Sequence, residues 1–138
     1  MNRTITALIG AGVLALSGTA HSTESEDAKN ARELAKALQE HMVATYSCQK
    51  YLGGLGHYRA AKLQAVQTYS RLTGDRNKAV LTMDRIEKEI MATKANERLE
   101  AQFKEMQLSY VDSVGTCQDL TAESMDKVEL LQAKLKLL

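Results

Sequence analysis

Proline is absent from this chain, and beyond its first twenty residues glycine is sparse outside residues 53 to 56. Ala, Leu, Gln, Glu, Lys and Met abound instead, a composition that favours helix almost everywhere. No run alternates apolar and polar residues between turn signals, so no strand is expected. The sequence predicts an all-α fold, a small bundle of about four helices, one of them long.

Chemical signatures are equally scarce. With Cys48 and Cys117 as the only cysteines, there is no Cys-x-x-Cys redox pair and no Cys-x-x-Cys-His haem attachment. A zinc site takes four ligands at recurring spacing, which His41, Cys48 and His57 do not supply. Gly53-Gly54-Leu55-Gly56 lacks the Lys-Ser/Thr that follows a phosphate-binding loop, and no local signature joins Ser, His and an acid into a triad. The expectation is therefore no enzyme, no catalytic residue, no metal and no cofactor.

The chain begins with Met1-Asn2-Arg3 and the uncharged apolar run Ile5 to Leu16. That run suits a secretory leader and is shorter than the roughly 20 residues that span a bilayer. Small residues at Gly18 and Ala20 place cleavage after Ala20, so residues 1–20 are expected as a signal peptide and 21–138 as one helical domain in the periplasm or outside the cell. Without Arg3 the chain carries equal numbers of basic and acidic side chains, which removes bulk attraction to nucleic acid as a premise. In an oxidising compartment two cysteines pair by default, and a Cys48–Cys117 disulfide is expected to staple the bundle.

Apolar spacing at three and four residues outlines the helices. Leu34, Leu38, Met42 and Thr45 run along a first helix over 25–52, which the three glycines after it terminate. Tyr58, Ala61, Ala65, Val66 and Tyr69 mark a second over 57–73, with Gly74 as its C-cap and Asp75 as the next N-cap. Residues 76–117 read as one long or gently kinked rod, although its apolar face changes side near Met91 to Asn96. The last helix is expected to start near Thr121, with a stripe of Met125, Val128, Leu131, Leu135 and Leu138. Leu130 and Leu137 fall off that stripe. They are read as a homodimer or partner seam, or as two ordinary exposed leucines.

Charge is unevenly placed. No acidic residue occurs between Glu40 and Asp75, where Lys50, Arg59, Lys62 and Arg71 accompany Tyr46, Tyr51, Tyr58 and Tyr69. Tyrosine with arginine is a composition favoured at binding hot spots. Tyr51, Tyr58, Arg59, Lys62, Tyr69 and Arg71 are thus the candidate contact residues for an acidic protein surface. A second reading stands beside it: the tyrosines sit in helix seams and the basic groups pair with acids of the third helix.

Tyr46-Ser47-Cys48-Gln49-Lys50-Tyr51-Leu52, with Cys117 and Asp126-Lys127-Val128, resembles the HdeA acid-stress chaperones, small exported helical proteins with one disulfide. Cys48 to Leu55 (CQKYLGGL) is similar to a motif in the helical immunity proteins that neutralise periplasmic toxins. Both resemblances imply small periplasmic proteins that bind other proteins. The functional expectation is an exported protein that acts by surface contact, as an inhibitor, immunity protein or stress chaperone. The alternative is a structural subunit of an envelope secretion or conjugation assembly.

Overall fold

The computed structural model describes residues 24–138; the expected leader lies outside them. Among the described residues the chain is all-helical and forms five helices rather than about four. These are α1 (Glu26–Ser47), α2 (Gly56–Thr73), α3 (Arg76–Ala92), α4 (Ala95–Glu105) and α5 (Tyr110–Lys134). None is long and apolar enough to cross a membrane.

α1 is the central element and touches all four others. Its start is set by Ser25, whose side chain accepts from the Ala28 N–H at 3.1 Å, and by Glu26 and Asp27 in the first turn, where acids complement the helix dipole. Leu34, Leu38 and Met42 are fully buried, while Ala35 and Ala37 bury a further face. Burial this wide over the C-terminal half marks a helix with neighbours on several sides, while its first turn and Lys36 stay exposed. α1 stops at Ser47, short of the expected residue 52. Gly53 and Gly54 then take φ of 81° and 117°, conformations that side chains with a Cβ rarely adopt. The corner between the first two helices is therefore as expected, and no helix runs through the glycines.

α2 and α3 form an antiparallel hairpin. Gly74 (φ 72°) closes α2, and the Asp75 carboxylate caps the Lys78 N–H at 3.0 Å. The expected rod over 76–117 is broken twice, at Thr93-Lys94 and at Met106 to Ser109. Lys94 and Gln107 hold the left-handed backbone (φ 52° and 56°) that glycine usually supplies. At the second break the Leu108 N–H reaches the Phe103 carbonyl and the Gln107 N–H reaches that of Lys104, a Schellman closure with glutamine in the glycine position. The change of apolar face near residue 93 was thus a break in the helix.

α5 starts eleven residues before Thr121, where Ser109 caps the Asp112 N–H at 3.1 Å. Thr121 lies inside this helix, its hydroxyl donating to the Cys117 carbonyl.

Two buried clusters hold the helices. The larger joins α1, α2, α3 and the C-terminal half of α5, with Met83, Ile86, Ile90 and Val128 fully buried. The smaller surrounds the Cys48–Cys117 disulfide, with Leu99 and Phe103 of α4 against it. The disulfide ties the end of α1 to the second turn of α5, Cα to Cα 5.7 Å, and both cysteines are fully buried.

Candidate functional site

The basic, tyrosine-rich segment finds its acids across the fold. Lys62 Nζ lies 2.8 Å from Asp84 and 3.1 Å from Glu87, both on α3. Burial alone lowers the Lys62 pKa, but the hydrogen bonds and charges of Asp84 and Glu87 outweigh it and hold the ammonium above its ordinary value. Tyr58 is buried in the same seam and donates to Glu87 at 2.8 Å. Its phenol is pushed far up, first by burial and then by that hydrogen bond. Tyr69 is buried in the core, and Lys50 pairs with Glu100 of α4 at 3.3 Å. Arg71 donates to the Leu137 carbonyl at 2.9 Å. Arg59 is exposed and makes no ion pair among the described residues. Of the six candidate contact residues, Tyr58, Lys62 and Tyr69 serve the α1–α2–α3 packing, Tyr51 packs at a tilt against Phe103 and Tyr110, and Arg59 and Arg71 remain at the surface.

Leu130 and Leu137 are also separated. Leu130 is exposed on α5, whereas Leu137 lies beyond the helix end and packs partly against the main core. The left-handed turn at Lys136 redirects it, and its N–H returns to the Gln132 carbonyl.

What the fold does build is a groove of about 670 Å3 between α2 and α5, floored by α1. At one end the two wall helices are pinned together by the buried Gln132–Thr68 hydrogen bond (2.9 Å) and by Arg71 on Leu137. The groove opens toward the other end. α1 contributes His41 and Thr45 to the floor, and Tyr51 and Leu52 close the corner. One wall is His57, Ala60, Ala61 and Gln64; the other is Gln118, Thr121, Ala122 and Met125. The small side chains of Ala60, Ala61 and Ala122 leave the space between the walls unfilled, and among the described residues no Asp, Glu, Lys or Arg lines the groove.

His41 is buried, and its Nδ1 lies 2.7 Å from Ser124 Oγ behind the groove. Burial, and then the like charge that His57 would carry, lowers its pKa below the ordinary 6.5. The ring is accordingly neutral at neutral pH. Among the described residues no group of three or more His, Cys, Asp or Glu side chains is placed to hold a metal ion.

Sequence reasoning placed Thr45 and Met125 on apolar stripes and considered His41 and His57 only as metal ligands. It did not find the groove. The available signal was local: His41 lies three residues after Leu38 and four before Thr45, on the edge of the buried stripe. Nothing local marks Gln64, Gln118 or Ser124. Scans of the sequence against protein-family models, curated proteins and solved structures return no match, so function is argued from the groove.

Proposed function

We propose that this chain is an exported, non-catalytic binding protein that takes an uncharged, largely apolar segment of a protein partner into the α2–α5 groove. The observation that carries the reading is an open cleft of ligand-site size lined by apolar and neutral polar groups, on a molecule whose surface is otherwise rich in ion pairs. Sites of 300–1,000 Å3 with a few convergent polar groups are the usual form of a binding pocket. An inhibitor, immunity protein or stress chaperone would act here by contact of this kind. Export is supported by the leader-like residues 1–20 and by the disulfide, which persists in oxidising compartments. An acidic patch on the partner has Arg59 to meet, since Lys50, Lys62 and Arg71 are engaged within the chain.

The test is affinity capture from envelope extract with Ala60→Arg and Ala122→Arg, each of which puts a cation on a groove wall at an exposed position. Lys88→Glu, exposed on α3 outside the groove, serves as the surface control. We expect one partner to be lost by both groove variants, kept by the control, and crosslinked by a photoreactive residue at Gln118. A partner kept by the groove variants refutes the reading.

The assembly-subunit alternative draws on the exposed Met106, Tyr110 and Val111 at the α4–α5 corner. Light scattering that finds only monomer at millimolar concentration removes it.

A further inference from the structure

Three of the polar residues that line the groove, Thr45, Thr121 and His41, share one hydrogen-bonding character. Thr45 Oγ1 donates to the His41 carbonyl at 2.8 Å and lies 3.1 Å from that of Met42. Thr121 Oγ1 does the same with the carbonyls of Cys117 (2.9 Å) and Gln118 (3.1 Å). A carbonyl only accepts, so each hydroxyl commits its one proton to its own helix and has only lone pairs left to offer.

His41 reaches the same state by a relay. Ser124 Oγ lies 3.0 Å from the Thr121 carbonyl and 2.7 Å from His41 Nδ1; we assign its proton to the carbonyl, which can only accept, and this leaves the Ser124 oxygen to accept from His41 Nδ1–H. A neutral imidazole protonated on Nδ1 has a bare lone pair on Nε2. Nδ1 is turned to Ser124, so the Nε2 edge is the one that faces the groove His41 lines. The depressed pKa keeps that lone pair free at neutral pH.

We propose that His41, Thr45 and Thr121 form an acceptor-only patch of the groove whose occupant is an uncharged apolar side chain carrying its own hydrogen-bond donor, namely a tryptophan of the partner. This rests on the reading of the groove as the binding site. An indole combines a large apolar body with a single N–H that donates and never accepts. Tryptophan is also among the commonest anchors of protein interfaces. Ala60, Ala61 and Ala122 leave width for a bicyclic ring. An apolar group without a donor would cover His41 Nε2 and leave it dry and unpaired, which is costly, while Thr45 Oγ1 and Thr121 Oγ1 would keep only their carbonyl partners. A lysine or arginine would donate, but no carboxylate lines the groove to offset the loss of its hydration.

Indole and 1-methylindole differ only in the donor and make the test direct. Each is titrated into the oxidised protein and followed by amide chemical shifts, with those of Ala60 and Ala122 reporting the groove. We expect groove-localised shifts with both, and an affinity about tenfold higher for indole, the size of one hydrogen bond. In His41→Phe, and separately in the isosteric Thr45→Val, the ratio is expected to fall toward one. Equal affinity in the native protein, with shifts in the groove, overturns the acceptor-only inference and leaves the groove as the site. An undiminished ratio in both folded variants overturns the assignment of the acceptors. Absence of groove shifts with either compound at millimolar concentration overturns the inference and the site together.

Discussion

Removing the disulfide by Cys48→Ala/Cys117→Ala should cost this protein a large part of its stability, mainly through the unfolded state. The bridge spans a sequence separation of 69 residues, and in the chain-entropy model closing such a loop is worth about 4 kcal/mol at 25 °C. Domains of this size have about 5–15 kcal/mol in all. With an unfolding entropy of about 2.1 cal/mol/K per residue over the roughly 115 described residues, the loss corresponds to a fall in Tm of about 17 °C. Packing adds a smaller term, because both cysteines are fully buried among Leu99 and Phe103. The two contributions separate in urea. Releasing the crosslink expands the unfolded chain and raises the m-value, whereas lost packing alone shifts the midpoint at constant m. The assay is thermal and urea unfolding followed by far-UV circular dichroism, native against double variant. A Tm drop below about 5 °C with an unchanged m-value would refute the reasoning. It would mean that residues 48 and 117 stay close in the unfolded chain without the bond.

Other sites test the polar and backbone features. Thr68→Val removes the acceptor of the buried Gln132 amide and should cost about 1–3 kcal/mol in urea unfolding; Thr68→Val/Gln132→Leu should recover part of it, and a neutral single variant would show that the bond contributes nothing. Lys94 and Gly74 probe left-handed backbone from opposite sides: Lys94→Gly should stabilise by about 0.5 kcal/mol and Gly74→Ala should destabilise by about 1 kcal/mol, and the same sign for both in chemical denaturation would defeat the argument. His41 makes stability depend on pH. Its folded pKa lies below 6.5 through burial and His57, so as pH falls below 6.5 the unfolded chain binds a proton that the folded one refuses. Stability should therefore decline through that window and level off once the pH passes the folded pKa. Comparing unfolding midpoints of native and His41→Gln protein at pH 5.5 and 7.5 isolates this group, and parallel changes in the two would exclude it.

The helical class, the glycine corner and the Gly74-Asp75 turn are legible in the sequence because each depends on residues adjacent along the chain. The breaks at Lys94 and Gln107 are not, since lysine and glutamine stand where glycine usually marks a left-handed turn. One overlooked signal was local: Ser109-Tyr110-Val111-Asp112 has the spacing of a helix start, and Ser109 caps α5 there.

By itself the sequence determined an all-helical chain with its two cysteines paired, because local propensity and the number of cysteines decide those matters. Only the tertiary structure decided where charge and chemistry reside. A segment with no acids of its own receives Asp84, Glu87 and Glu100 from α3 and α4, so two of its four basic side chains, Lys50 and Lys62, are paired with acids 22 to 50 positions away. The groove arises the same way, where α2 and α5 part above His41 and Thr45. Its acceptor character depends on Ser124, 83 residues from His41. Spacing along one helix cannot encode such a relay, because the proton's position is set by what the fold brings to the other side of the ring.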